Sequence, residues 1–234
     1  MCGRMVMSST PSDFVDYFNS VEAVRTIKIN SVFKESFIPR FNISPGSKVF
    51  AISQTKSNQV LNLDTYKWGL VPHWAKDDSF SNKCFNARAE TISEKPTFKD
   101  AFKRSRCIIL ADGYYEWKVI SAGSSNIVKQ PYFIHDNTLK PLFFAGLFEP
   151  TTNSATIVTT ESINKLSDIH HRRPVFLSVA ESMKWLNHNS IEKELLGLIE
   201  NSKDINIDAY QVSTLVNKST VDGEALIEKL DSLF

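Results

Sequence analysis

Cysteine stands at position 2, directly behind the initiating methionine. Methionine aminopeptidases trim Met1 when the second residue is small, and cysteine qualifies. The mature chain would then start with a free α-amine and a thiol on adjacent carbons, a pair no internal cysteine offers. An α-amine has an ordinary pKa of about 7.7–8.0, so a useful fraction is neutral near neutrality. A neutral amine attacks an aldehyde to give a Schiff base. The neighbouring thiol then adds to the imine carbon and closes a thiazolidine ring, an intramolecular step with a large effective molarity. An N-terminal cysteine is therefore a natural aldehyde trap. The alternative is a cysteine that stands second without consequence.

Four further segments carry reactive or recognition groups. In NARAET, residues 86–91, Asn86 offers an amide donor and acceptor, and Arg88 a planar cation suited to phosphate. In a strand the two share a face; a turn packed on the core is the other reading. In ADGYYEW, residues 111–117, Asp112 and Gly113 make a turn and an alternating strand follows. Glu116, flanked by aromatics, is expected to be partly desolvated and raised toward general-acid values, unless it lies on a wet edge. In SDIHHRRPVFL, residues 167–177, His170 and His171 suit proton transfer and Arg172 and Arg173 suit phosphate, against the alternative of a solvated basic loop. In WGLVPHWAK, residues 68–76, Trp68 reads as core and Trp74 as the exposed ring that stacks an unpaired base.

These segments need a frame. Apolar runs at 48–53, 59–66, 107–111, 114–119, 131–135, 141–148 and 155–160 read as strands. A first helix starts at Pro11 with Phe14, Val15 and Phe18 on one face, and another covers PTFKDAFKRS. The later part reads as helical, in SVAESMKWLNH, IEKELLGLIEN and GEALIEKL, and Ser121–Ser125 as a hairpin loop. The pattern predicts an α+β fold: a single domain over 1–234 with a curled, largely antiparallel, barrel-like sheet decorated by helices.

With 42% hydrophobic and 23% charged residues the chain has globular composition, and no apolar run is long enough to span a bilayer. The start has no basic stretch followed by an apolar one, so no signal peptide is expected. Cys2, Cys84 and Cys107 make no disulfide framework and no CxxC pair, which fits a reducing compartment; no Cys/His cluster has metal-ligand spacing, so neither metal nor cofactor is expected. The net charge of +1 excludes a nonspecific coat on duplex DNA. Seven of the eight arginines nonetheless sit in or beside these motifs: Arg4, Arg40, Arg88, Arg104, Arg106, Arg172 and Arg173.

Taken in order, MCGR, RFNISPG, WGLVPHWAK, NARAET, CIILADGYYEW, PLFFAGLFEP, TIVTTE and DIHHRRPVFL resemble the SOS-response-associated peptidase family of abasic-site-processing proteins. The likeness covers roughly residues 1–186, and the tail fits more loosely. It implies that Cys2, freed of Met1, crosslinks to the aldehyde of an abasic site in single-stranded DNA and shields the lesion. It implies that Asn86 positions the Cys2 amine and the sugar, and that Glu116 and His170 are the acid/base pair. Arg4, Arg88 and Arg172 would hold flanking phosphates, with Arg40 and Trp74 as further DNA contacts. The resemblance also implies a monomer in the cytoplasm or nucleoid, or in the nucleus of a eukaryote, and self-removal of Met1 as peptidase activity. The rival reading is an N-terminal-nucleophile amidohydrolase, in which the thiol attacks an amide. Arg4 tells against it, because those enzymes place an apolar residue there.

Overall fold

The computed structural model describes residues 2–21, 27–29, 37–54, 60–122, 126–203 and 206–230. Within them the chain forms thirteen strands and five α-helices. One sheet has the order β13 (Ile207–Gln211), β9 (Asn126–Asp136), β8 (Gly113–Ala122), β1 (Met5–Met7), β3 (Arg40–Ile43). The other has the order β12 (Arg172–Pro174), β11 (Ser154–Glu161), β10 (Leu142–Glu149), β7 (Arg106–Ala111), β4 (Lys48–Gln54), β5 (Leu61–Trp68), β2 (Ile27–Ile29). In this second sheet β5 turns back to pair with β11, through Ser154 opposite Lys67 and Ala155 opposite Trp68, which partly closes a ring. A short strand β6 (Asn86–Arg88) also lies parallel to β11. The fold is α+β, as the sequence predicts, but the strands divide between two sheets.

The division occurs at Asp112 and Gly113. β7 is wholly buried in the second sheet, and β8 begins the first sheet one residue later. A Cβ on Gly113 would lie 2.4 Å from the Phe133 ring, so only glycine lets the strand pass. The Asp112 carboxylate accepts from the amides of Ser8 and Ser9 at 2.6 and 2.8 Å and from the Ser9 hydroxyl at 2.6 Å. This pins the start of the chain to the corner. Helix α1 (Pro11–Val21) follows, with Phe14, Val15 and Phe18 buried as its spacing predicts. Phe14 and Phe18 meet Phe143 edge-on.

Helices α2 (Lys99–Arg104), α3 (Asn164–Ser167), α4 (Val179–Leu186) and α5 (Glu192–Glu200) complete the set. Ser178 and Glu181 cap α4 reciprocally. Arg106 is a structural arginine: its buried guanidinium donates to the carbonyls of Phe102, Lys103, Trp185 and Asn187, tying α2 to the end of α4. GEALIEKL, expected as a helix, forms only a short 3-10 turn at Glu224–Ile227. Leu226, Val212 and Val216 instead pack into a second apolar cluster with Val6, Tyr115 and Phe133, and that packing overrides the local helix propensity. The expected loop at Ser121–Ser125 is narrower than the sequence suggests, since Ser121 and Ala122 pair with Ile127 and Asn126; residues 123–125 lie outside the described residues. Among the described residues no helix is long and apolar enough to cross a membrane.

Candidate active site at the junction of the two sheets

β1 is laid between β3 and β8, with Met5 opposite Tyr114 and the Tyr115 amide donating to the Arg4 carbonyl at 3.0 Å. At the N-terminal end of this pairing Cys2 comes close enough to Glu116 for their charges to interact. Both are buried, at 0% and 3% exposure. From the other sheet, Asn86 on β6 reaches across and donates from Nδ2 to the Cys2 carbonyl at 2.7 Å. The Asn86 Oδ1 is buried and accepts no hydrogen bond among the described residues. An unmet buried acceptor is costly, and one kept beside a nucleophile is suited to a substrate hydroxyl or ammonium proton.

His170 completes the group from the loop between α3 and β12. Its Nδ1 stands 3.8 Å from Glu116 Oε1, 3.0 Å from the Arg172 amide nitrogen and 3.1 Å from the Arg172 carbonyl oxygen. The neutral ring can accept from that amide, and the protonated ring can donate to that carbonyl, so the Arg172 backbone holds the imidazole in either state. His171 stacks on it with ring centroids 4.4 Å apart. Four residues from three distant segments and the chain start thus converge where the sheets meet.

Burial sets the electrostatics. It pushes the Glu116 carboxyl up to about 7, and the positive charge of the amino terminus only partly opposes this. Burial, and then the same positive terminus, depress His170 to about 4. Burial, reinforced by the Glu116 charge, lifts the Cys2 thiol well above its ordinary range. At neutral pH the site therefore holds a thiol, a carboxyl near half ionisation and a neutral imidazole. Such a set can move protons in both directions. Cys84 and Cys107 are buried elsewhere with no adjacent amine, and burial raises both thiols.

The arginines behave differently from one another. Arg88 is exposed two residues beyond Asn86 on β6, and among the described residues its guanidinium makes no hydrogen bond or ion pair. Arg4 is half-buried and donates to Asn42 Oδ1 at 2.8 Å and to the Val216 carbonyl at 2.7 Å. Arg40 is exposed and pairs with Asp222 at 2.5 Å. Arg172, expected to hold a phosphate, meets protein partners in the structure. It is buried, and its guanidinium meets the Glu90 carboxylate at 2.6 and 3.0 Å and the Thr159 carbonyl at 2.6 Å. Those bonds occupy both terminal nitrogens, so Arg172 holds the loop that carries His170. Trp68 is fully buried. Trp74 is 46% exposed and stands edge-on to Phe80, but neither it nor Arg40 lines the groove over Glu116 and His170.

Three supporting residues escape the sequence reading. Glu90 belongs to NARAET yet is recognisable only through its partner 82 residues away. Asn42, 1% exposed within RFNISPG, takes Arg4 on Oδ1 and donates from Nδ2 to the carbonyls of Val216, Lys218 and Val221. Asn217 accepts from the Trp117 indole at 2.7 Å, and nothing in the looser C-terminal text signals that contact. Among the described residues no group of His, Cys, Asp and Glu could hold a metal ion.

The sequence and the fold have counterparts. "Abasic site processing protein YoqW" of Bacillus subtilis (strain 168) is 35% identical over 237 residues, spanning 97% of this chain and 99% of that one. "Abasic site processing protein YedK" of Escherichia coli (strain K12) is 32% identical over 83% of each chain. "Abasic site processing protein HMCES" of Xenopus tropicalis is 31% identical over 94% of this chain and 75% of its own length. Among solved structures, a phage-related protein of Bordetella bronchiseptica superposes with a TM-score of 0.70 at 27% identity, covering 90% of this chain and 94% of that one. A protein of Bacteroides thetaiotaomicron, at 22% identity, shares the fold with a TM-score of 0.76 over 98% of this chain and 100% of that one. The profile of the SOS response associated peptidase (SRAP) family matches residues 1–219, and the chain belongs to that family.

Proposed function

We propose that this protein processes abasic sites in single-stranded DNA by covalent capture through Cys2 once Met1 has been removed. The observation that carries the reading is the convergence of Cys2, Asn86, Glu116 and His170 at one sheet junction. The names of the relatives supply the substrate class. An abasic deoxyribose is mostly a closed hemiacetal. Opening it requires a proton on the ring oxygen and loss of one from the hydroxyl, and we assign His170 to this exchange. The Cys2 amine then forms a bond to the aldehyde carbon, giving a carbinolamine. Glu116, near half ionisation, protonates the departing hydroxyl, and water leaves as the imine forms. The thiol sulfur adds to the imine carbon while its proton passes to nitrogen, closing the thiazolidine. Because burial keeps the Cys2 sulfur protonated, the ring closes only with a nearby base, and ionised Glu116 is that base.

Asn86 fixes the Cys2 carbonyl and offers Oδ1 to the sugar. Arg88 meets a flanking phosphate, with Arg4 and Arg40 as further phosphate contacts. Arg172 acts on His170 rather than on DNA. The Schiff-base stage carries lyase potential through β-elimination, which ring closure suppresses. Self-removal of Met1 is the only peptidase activity this reading requires. The test is denaturing electrophoresis of the mature protein after mixing with an abasic single strand, without reductant. A denaturation-resistant adduct is expected, with none on the undamaged strand. No adduct with protein whose N-terminus is verified as Cys2 would overturn the proposal.

A further inference from the structure

β8 and β9 pair over ten positions, yet only the base of this ribbon is embedded. β8 meets β1 at Gly113 and Tyr114, and β9 meets β13 from Tyr132 to Asp136. Beyond Trp117 and Pro131 the two strands form backbone ladders only with each other among the described residues. A two-stranded ribbon with free edges gains little stability alone in water. This one also exposes Val119 at 58%, Ile120 at 39% and Val128 at 45%. Ile120 and Val128 stand directly opposite each other, so one face of this projecting arm presents an exposed apolar pair that can receive something.

The arm leads out of the candidate active site. Side chains directly opposite one another share a face, so Glu116, Lys118 and Ile120 lie in one row, with Gln130 and Val128 across from the last two. At about 3.4 Å per residue, Lys118 stands about 7 Å and Ile120 about 14 Å along the arm from the catalytic-site carboxyl. Lys129 comes from the other face, opposite Val119. A groove of about 750 Å³ is lined by Glu116 and His170, by Lys118, Val119 and Lys129 of the arm, and by the loop from Ser167, including Asp168. A strand delivering its lesion to Glu116 and His170 has to leave along one wall of this groove, and the arm wall carries two lysines.

We propose that the β8–β9 arm is the track for the DNA strand on one side of the lesion. Lys118 and Lys129 take backbone phosphates. Ile120 and Val128 support the base next to the missing one, which has lost its stacking neighbour. The inference rests on the reading of the protein as an abasic-site processor, and its test is separable from that reading. Fluorescence anisotropy would follow binding of single strands bearing a tetrahydrofuran abasic analogue, which has no aldehyde and cannot crosslink. The analogue is placed with flanking nucleotides on both sides, on the 5′ side only, or on the 3′ side only.

Each lost phosphate contact lowers the salt slope of single-strand binding by about 0.7, so K118A/K129A should lower it by about 1.4. The loss should appear with one flank polarity and vanish with the other. Ile120→Ser with Val128→Ser should weaken binding with the same polarity and leave the salt slope unchanged. An unchanged salt slope would overturn the inference, as would an equal loss with both polarities. Self-association of the wild type that Ile120→Ser abolishes would assign the arm to a second copy and also overturn it. Arm-dependent binding by a protein that never crosslinks would keep the track and defeat the crosslinking reading instead.

Discussion

Replacing Glu116 by glutamine tests the electrostatics of the site without reference to any substrate. The carboxyl is 3% exposed, and burial raises it from an ordinary 4.5 to about 7. Each pH unit of such a change corresponds to about 1.36 kcal/mol, so the whole shift is worth about 3 kcal/mol. Because the folded-state value is the higher one, the folded protein binds the extra proton between about pH 4.5 and 7. Stability associated with neutral Glu116 is complete below pH 4.5 and is lost as pH rises through 7. Glutamine imitates the neutral acid at every pH and lacks this loss. Relative to wild type, Glu116→Gln should therefore gain about 3 kcal/mol between pH 4.5 and 8, whatever constant offset the altered hydrogen bonding adds. Urea unfolding across that range at fixed ionic strength measures the difference. Parallel stability profiles would refute the reasoning, because they would mean that the carboxyl is effectively solvated or already ionised below pH 5.

His170 should show the opposite sign: its depressed value means stability present above about pH 6.5 and lost as pH falls toward 4, so His170→Asn should flatten the acid limb in the same urea titration. Arg172→Ala should cost about 2–4 kcal/mol by leaving the Thr159 carbonyl and Glu90 unmet, and should slow crosslinking without changing the salt slope of DNA binding; a slope reduced by about 0.7 would return Arg172 to the phosphate contacts. Gly113→Ala forces a Cβ into the Phe133 ring and should lower stability by about 1–3 kcal/mol in thermal or urea unfolding, with no loss meaning that the sheet corner is soft. Cys84→Ser and Cys107→Ser should form adducts on denaturing gels at the wild-type yield, because neither thiol adjoins an amine.

How much of this was legible in the sequence follows from what each feature depends on. Helix α1 carries a helical period and the long strands β4, β7, β10 and β11 carry apolar runs of several residues, and reading them needs no partner. Strands β1, β3, β6, β12 and β13 run three to five residues, too short for a pattern, and exist because a neighbouring edge receives them. The chemistry of Cys2, Asn86, Glu116 and His170 was readable from residue type and local text. Their convergence was not, because it depends on the corner at Gly113 and on β6 crossing to β11. The Glu90 carboxylate that pairs with Arg172 is likewise not signalled by the local text around either residue. The C-terminal segment, weak as a motif, holds Arg4 through Val216 and Trp117 through Asn217, contacts more than 90 residues apart that no local pattern encodes.

The central claim is that the terminal amine and thiol of Cys2 act together on an aldehyde. The most direct measurement is mass spectrometry of the N-terminal tryptic peptide Cys2–Arg4 after the protein has reacted with an abasic single strand and the DNA has been digested. Wild-type protein should carry the sugar remnant on that peptide without reductant, with the thiol no longer alkylatable. Cys2→Ser keeps the amine, so it should carry the remnant only after borohydride reduction, and an uncleaved tag before Met1 should abolish both products. A tagged protein that acquires the remnant, or a Cys2→Ser adduct that survives denaturation without reductant, would contradict the account.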